Sequence, residues 1–469
     1  MAVAAAVFTA VCLVAVVAIT LLGTSSHPDR WDPRVDDLVA FVEVERGLRF
    51  DHPVHIDFLT PSEYSDMVRS SEGDLTDDDR EMLDGSAAML RSVGLLDGDI
   101  DLFGALNELG DGGTLAFYDH VSKRIVVRGT EMSVDLEVTL VHELVHALQD
   151  QHFDLSRLST LEGSGESTAF RAIVEGDATA VEDVYISQLS WDEYGQYEDA
   201  LSRQYDELPI AGVPGILTAS FSAPYALGAP LVGIVQAERG WEAVDDLLRE
   251  PPTTELELLD PTAFLDGFEP VHVGRIELPE HHDLIEEGDF GAIGLYLMLA
   301  ARLDPLDALA VADLWAGDAY LTSSDGAGRV CTQITVATSA GPDGLDRMVE
   351  GLEEWARTSA DRDDGGAEVE RQGSTAVLRS CDPGTDVEVE SLTDPNTALS
   401  IPATRSYLIL NAVGAGLSVD GGACVVEVVF GTVPTSMLVD PSPTAAEILD
   451  VQTRVGNAVT KCRGHATAA

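Results

Sequence analysis

Residues 141–150, Val-His-Glu-Leu-Val-His-Ala-Leu-Gln-Asp, restrict this chain more than any other stretch. Side chains four residues apart share one face of a helix, so His142 and His146 aim two imidazoles at one point. Two neutral imidazole nitrogens suit a zinc ion, and Glu143 lies beside them as a candidate base for a metal-bound water. The flanks predict the helix. Ser133 stands at the N-cap position, with Asp135 and Glu137 in a first turn where the helix dipole favours carboxylates. Leu136, Leu140, Leu144 and Leu148 recur every four residues, and Val141 and Val145 widen the stripe. So apolar a run argues for burial of the two histidines rather than a place on the surface.

A catalytic zinc takes three protein ligands and keeps a fourth position open. Two residues compete for the third place. His152 follows His142 by ten residues, the spacing of the metzincin pattern, whose glycine turns the chain back to the metal. Here Gln149 occupies that glycine position, and on a continuing helix His152 points well away. Glu175, on a second helix predicted over 168–189, is the preferred candidate. The connection over 155–166 is rich in Ser and Gly, which predicts a flexible link that lets this helix fold back antiparallel. In so acidic a chain, the competing account of Glu175 is an ordinary surface glutamate.

With a glutamate on a later helix, the pattern resembles the gluzincin class of zinc metallopeptidases. It is similar, more closely, to a family of uncharacterised bacterial and archaeal metallopeptidase-like proteins, often membrane-anchored. The likeness is carried by His142–Phe153 (HELVHALQDQHF), Glu175-Gly176-Asp177-Ala178, Pro224-Tyr225 with Gly228, and Pro251-Pro252-Thr253-Thr254. A weaker likeness runs through Trp315-Ala316-Gly317-Asp318, so it spans roughly residues 36 to 360. The resemblance implies a zinc-dependent peptidase. His142, His146 and Glu175 would hold the metal, Glu143 would act as general base, and Tyr225 would be a donor to the oxyanion, with His120 a weaker option. Gluzincins often place an aspartate four residues after the ligand glutamate. Here that place holds Thr179, with Asp177 nearer, so the groups orienting the two histidines are not identified by the pattern.

Charge excludes some partners. With 82 acidic against 27 basic residues the formal net charge is -55, and such a surface repels phosphates, so nucleic acid and anionic lipid headgroups are poor partners. Residues 2–23 carry no charge and are long enough to span a bilayer, which predicts an uncleaved transmembrane signal anchor over 1–24 with a cleaved signal peptide as the rival. Setting aside Cys12, the remaining four cysteines all lie in the last third. An even number behind a membrane segment predicts disulfides and an extracytoplasmic location. Three connectivities exist, and sequence order suggests Cys331 with Cys381 and Cys424 with Cys462.

The expected fold class is α+β: a mainly helical zincin-like domain with a small sheet over 31–328, then a disulfide-stapled mixed region over 329–469. Helices are expected at 36–48 and 77–94, strands at 55–59 and 330–338, and a β-hairpin at 114–128 running into the His142 helix. An edge strand beside such a helix suits an extended peptide. Asp97, Asp99, Asp101 and Glu108 fall at calcium-loop positions, but Leu102 replaces the required glycine, so they are read as an acidic helix start. Residues 405–413 remain open between helix and strand, 424–430 is rich in β-branched residues and predicts a strand, and 361–366 an acidic loop. Two rivals to the peptidase stand: a catalytically idle metal-binding or interaction protein, and a metal-dependent hydrolase acting on something other than peptides.

Overall fold

A computed structural model describes residues 27–112, 114–161, 164–207, 212–358, 366–387, 392–440 and 442–463. The expected signal anchor, and 361–365 of the acidic loop, lie outside these residues.

The described residues begin with helix α1 (Asp36–Arg46), strand β1 (His55–Leu59), and helices α2 (Pro61–Val68), α3 (Asp77–Ser92) and α4 (Leu102–Gly112). Strands β2 (Ala116–Asp119) and β3 (Arg124–Arg128) form the expected hairpin. With β1 running parallel to β3, they make a three-stranded sheet of order β1-β3-β2, which leaves β2 at its edge. The acidic run before α4 is a helix start: Asp101 accepts a hydrogen bond from the Gly104 N–H at 2.9 Å.

Helix α5 (Val134–Phe153) carries the two histidines. Ser133 does occupy the N-cap position, but its hydroxyl makes no capping hydrogen bond. The predicted flexible link after α5 is corrected. Residues Leu155–Ser159 form a 3-10 turn, because Leu155 is buried and its N–H is held by Asp150 at 3.0 Å. Helix α6 (Ser164–Gln188) follows, then α7 (Trp191–Glu207), α8 (Gly215–Arg239) and α9 (Trp241–Arg249). Helix α8 is long and apolar enough to cross a membrane, yet it is mostly buried and serves as a core helix. Its backbone touches that of α6. A Cβ added to Gly228 would meet the Ala172 carbonyl oxygen at 1.8 Å, so only glycine permits this approach.

The second sheet is antiparallel, in the order β4-β5-β6-β8-β7, from β4 (Asp283–Gly288), β5 (Trp315–Ser324), β6 (Val330–Thr338), β7 (Glu368–Gln372) and β8 (Thr375–Cys381). Helices α10 (Ala292–Ala300), α11 (Pro305–Ala312) and α12 (Gly341–Arg357) pack with it, and α13 (Pro395–Gly414), α14 (Val419–Phe430) and α15 (Ala445–Cys462) close the chain. The α+β class holds. Both disulfides pair as sequence order suggested, Cys331–Cys381 across β6 and β8 and Cys424–Cys462 between α14 and α15.

The strand expected at 424–430 is corrected: those residues complete helix α14. Ser418 caps it by accepting from the Gly421 N–H at 3.1 Å, and Gly421, Gly422, Val425, Val426 and Val429 bury a helical stripe. Packing of that stripe overrides the β preference of valine. Residues 405–413, left open by the sequence, belong to α13.

Two buried acidic residues anchor α10. Glu255, just after Thr254, accepts from the Ile293 N–H at 2.9 Å, and Asp318 accepts from Phe290 and Gly291 N–H at 2.7 and 3.0 Å. Carboxylates suit the otherwise unsatisfied donors of a helix N-terminus. Burial nevertheless pushes Glu255 up to about 7 and Asp318 up to about 6. Glu286 on β4, buried beside the Tyr320 hydroxyl, is likewise pushed up to about 7. Groups that hold protons more tightly when folded stabilise the fold below their unfolded values near pH 4 and lose that contribution as pH rises towards about 7. Urea unfolding of metal-stripped protein should therefore show higher stability at pH 5 than at pH 8. Glu286→Gln should narrow the gap, by about 1–3 kcal/mol; an unchanged gap would clear Glu286 of any part in it.

Candidate metal centre

Helices α5 and α6 pack antiparallel, and their side-chain contacts run in opposite order along the two chains. The Gln149 amide meets the Val174 carbonyl at 2.9 Å, His146 and His142 meet Glu175, His142 also meets Glu182, and Glu137 meets the Tyr185 hydroxyl at 3.2 Å. The site lies midway along this pair. The Nε2 atoms of His142 and His146 both lie 3.2 Å from Glu175 Oε2. The ligand atoms of these three residues fall within 4.8 Å of one another, and this is the one such group of His, Cys, Asp and Glu among the described residues. Sequence pattern and fold therefore converge on the same three side chains.

The electrostatics favour a cation at that point. Burial opposes charge on both imidazoles, but Glu175 and Glu182 around His142, and Glu175 beside His146, outweigh it and raise both pKa values. Burial alone would raise Glu175, yet the two imidazoles hold it well below the usual carboxylate range. Two imidazole nitrogens and an ionised carboxylate make a donor set that a divalent ion fits, and zinc is a common choice for it.

Each histidine is held from behind. His142 Nδ1 pairs with Glu182 at 2.8 Å, and His146 Nδ1 pairs with Gln149 at 2.9 Å. These are the orienting groups the sequence pattern left unidentified, and Thr179 is not one of them. Their signal was spacing alone: Glu182 lies two helical turns beyond Glu175, and Gln149 lies three residues beyond His146.

Glu143 is 7% exposed and lies under the edge of the first sheet, where its Oε2 accepts from the Tyr118 N–H at 2.6 Å. Burial raises its pKa, against the opposing pull of His146 and His142. Strand β2 is pinned in turn by Asp150, which accepts from the Tyr118 hydroxyl and from Lys123 Nζ, both at 2.6 Å. Sequence reasoning passed over Asp150, although Lys123 is one of only two lysines in the chain.

The other candidates separate cleanly. Tyr225 of α8 reaches the site: its ring lies 6.2 Å from that of His142, its hydroxyl is hydrogen-bonded to Glu175, and burial beside Glu175 and Glu143 pushes the phenol well up. His120 sits on the hairpin turn with Nε2 2.9 Å from the Ser159 hydroxyl. His152 is exposed and turned to the Arg49 carbonyl at 2.8 Å, so the metzincin spacing does not deliver a ligand.

No family model matches the chain, and no curated protein or solved structure proves similar to it. The class of site is therefore defined by its own geometry, as a two-histidine, one-glutamate cluster able to hold a metal ion.

Proposed function

We propose that this protein is a zinc-dependent peptidase of the gluzincin type. The observation that carries the reading is the meeting of His142, His146 and Glu175 around one point, with Glu143 next to His142 on the same helix. A structural zinc site needs no such neighbouring base, which counts against an idle metal site.

A zinc ion held by the three ligands would supply Lewis acidity for a peptide carbonyl and for a water. The remaining tasks fall to the chain. Glu143, its pKa raised by burial, takes the proton from the attacking water and passes it to the leaving amine. Its orientation is set by the Tyr118 N–H. Tyr225 offers a hydroxyl to the developing oxyanion, which requires it to turn from Glu175. Edge strand β2 supports a peptide substrate, since an extended chain added to it would run past Glu143. The two disulfides and the apolar stretch over 2–23 support a membrane-anchored protein whose catalytic part is extracytoplasmic.

The test is metal content by mass spectrometry on the full-length chain, beside His146→Ala and Glu175→Ala, followed by cleavage of a peptide library. One zinc per parent chain, lost in both variants, together with cleavage, is expected. A folded parent without metal would sink the reading, and zinc without cleavage of any peptide would leave a binding protein or a hydrolase for another substrate.

A further inference from the structure

His146 shows one nitrogen to the metal point and the other to a chain of buried groups. The direction of each hydrogen bond follows from what its partners can do. The Asp177 carboxylate and the Val174 carbonyl only accept, so Gln149 must turn its Nε2 donors to both, at 2.8 and 2.9 Å. Its Oε1 is left facing His146 Nδ1, at 2.9 Å. Nδ1 must then carry a proton, so in the neutral ring the lone pair lies on Nε2, the nitrogen that meets Glu175.

Of the two acceptors that set this polarity, Asp177 is the side chain. That residue is completely buried, and its second oxygen accepts from Arg46 Nε at 2.7 Å. Arg46 comes from α1, 131 positions earlier, and is itself 2% exposed. It is fixed by a second pair, Nη2 to Asp245 at 2.6 Å, and its guanidinium lies over the Trp241 ring, 4.9 Å from the centroid. A rigid guanidinium tied at two points and stacked on a ring is well suited to hold one carboxylate orientation.

We propose that Arg46 is a positioning residue of the metal centre, acting through Asp177 and Gln149 to fix the Nδ1-protonated tautomer of His146. Helix α1 is thereby part of the metal site, although it contributes no ligand. The inference rests on the reading of His142, His146 and Glu175 as a metal centre.

Two readouts on the full-length chain test it. The first is zinc affinity, by competition with a chromophoric chelator. The second is the His146 tautomer in metal-free, histidine-labelled protein, brought to a pH at which the ring is neutral, by long-range proton–nitrogen correlation. Arg46→Met and Asp177→Asn should each weaken zinc binding about 10- to 100-fold, the usual effect of removing an orienting group. In Asp177→Asn the Arg46 N–H keeps the amide oxygen and turns the amide N–H on Gln149, where it competes with the Val174 carbonyl for the orientation of the Gln149 amide, so His146 should show mixed tautomers. Arg46→Lys should restore part of the affinity lost in Arg46→Met. Arg91→Met breaks a part-buried pair with Asp382 that touches no residue of this chain of contacts, so it should lower stability while leaving zinc affinity and tautomer unchanged.

Parental affinity in Asp177→Asn would overturn the proposal, as would an equal loss in Arg91→Met, which would mark the effect as general loosening. Should Arg46→Met fail to fold, the nearly isosteric Asp177→Asn still decides. A parent that binds no zinc would sink the metal reading instead, and the tautomer measurement would then decide the positioning role by itself.

Discussion

Glu143→Gln is expected to leave fold and zinc content intact and to slow peptide cleavage by about 10²- to 10⁴-fold, the range supplied by a positioned proton-transfer group. The substitution keeps the size of the side chain and an oxygen able to accept from the Tyr118 N–H, the contact made by Glu143 Oε2 at 2.6 Å. It removes the one property the reaction needs, a carboxylate that can take a proton. Steady-state cleavage measured at matched zinc occupancy checks this. Cleavage at the parental rate would transfer the base to another residue and undo the assignment of Glu143.

Gly228→Ala is expected to be the most damaging glycine-to-alanine change among the described residues. The added carbon would lie 1.8 Å from the Ala172 carbonyl oxygen, and that neighbour is backbone, so no side-chain rotation relieves the clash. Helices α6 and α8 must separate, at a cost of about 3 kcal/mol or more, the upper end of overpacking penalties. Function should fall further than stability, because Glu175 lies on α6 and Tyr225 on α8. Gly195→Ala is the control. It sits on an exposed part of α7 with nothing within 4 Å of the added carbon, so the same substitution should be neutral or stabilising by up to about 1 kcal/mol. Urea unfolding and zinc competition on both variants check the contrast. Equal stabilities would show that the α6–α8 contact yields easily.

The parts of the fold that were legible in the sequence are those in which local signals agree with packing. Helix α5 announces itself through a four-residue leucine repeat, and the β2–β3 hairpin through alternation and a polar turn. Both disulfides follow sequence order. Helix α14 was misread because Val425, Val426, Val428 and Val429 favour strands locally, whereas its buried stripe only makes sense beside its neighbours. The link after α5 looked flexible for the same reason: Ser and Gly dominate its composition, while one buried leucine and the Asp150 carboxylate order its first half.

The candidate site divides along the same line. The chain itself determined His142, Glu143 and His146, because helical periodicity alone brings residues four apart to one face and sets the glutamate between them. Choosing Glu175 over His152 needed the second helix to fold back, a contact across 29 residues that no local rule supplies. What surrounds these residues was decided only by tertiary structure. Glu182 and Gln149 orient the histidines, Asp150 pins the edge strand, and Arg46 reaches Asp177 from 131 positions away. Spacing puts Glu182 and Gln149 on the right helix faces, but it selects none of these groups, because burial and charge pairing depend on which elements meet, and that is settled by packing of the whole chain.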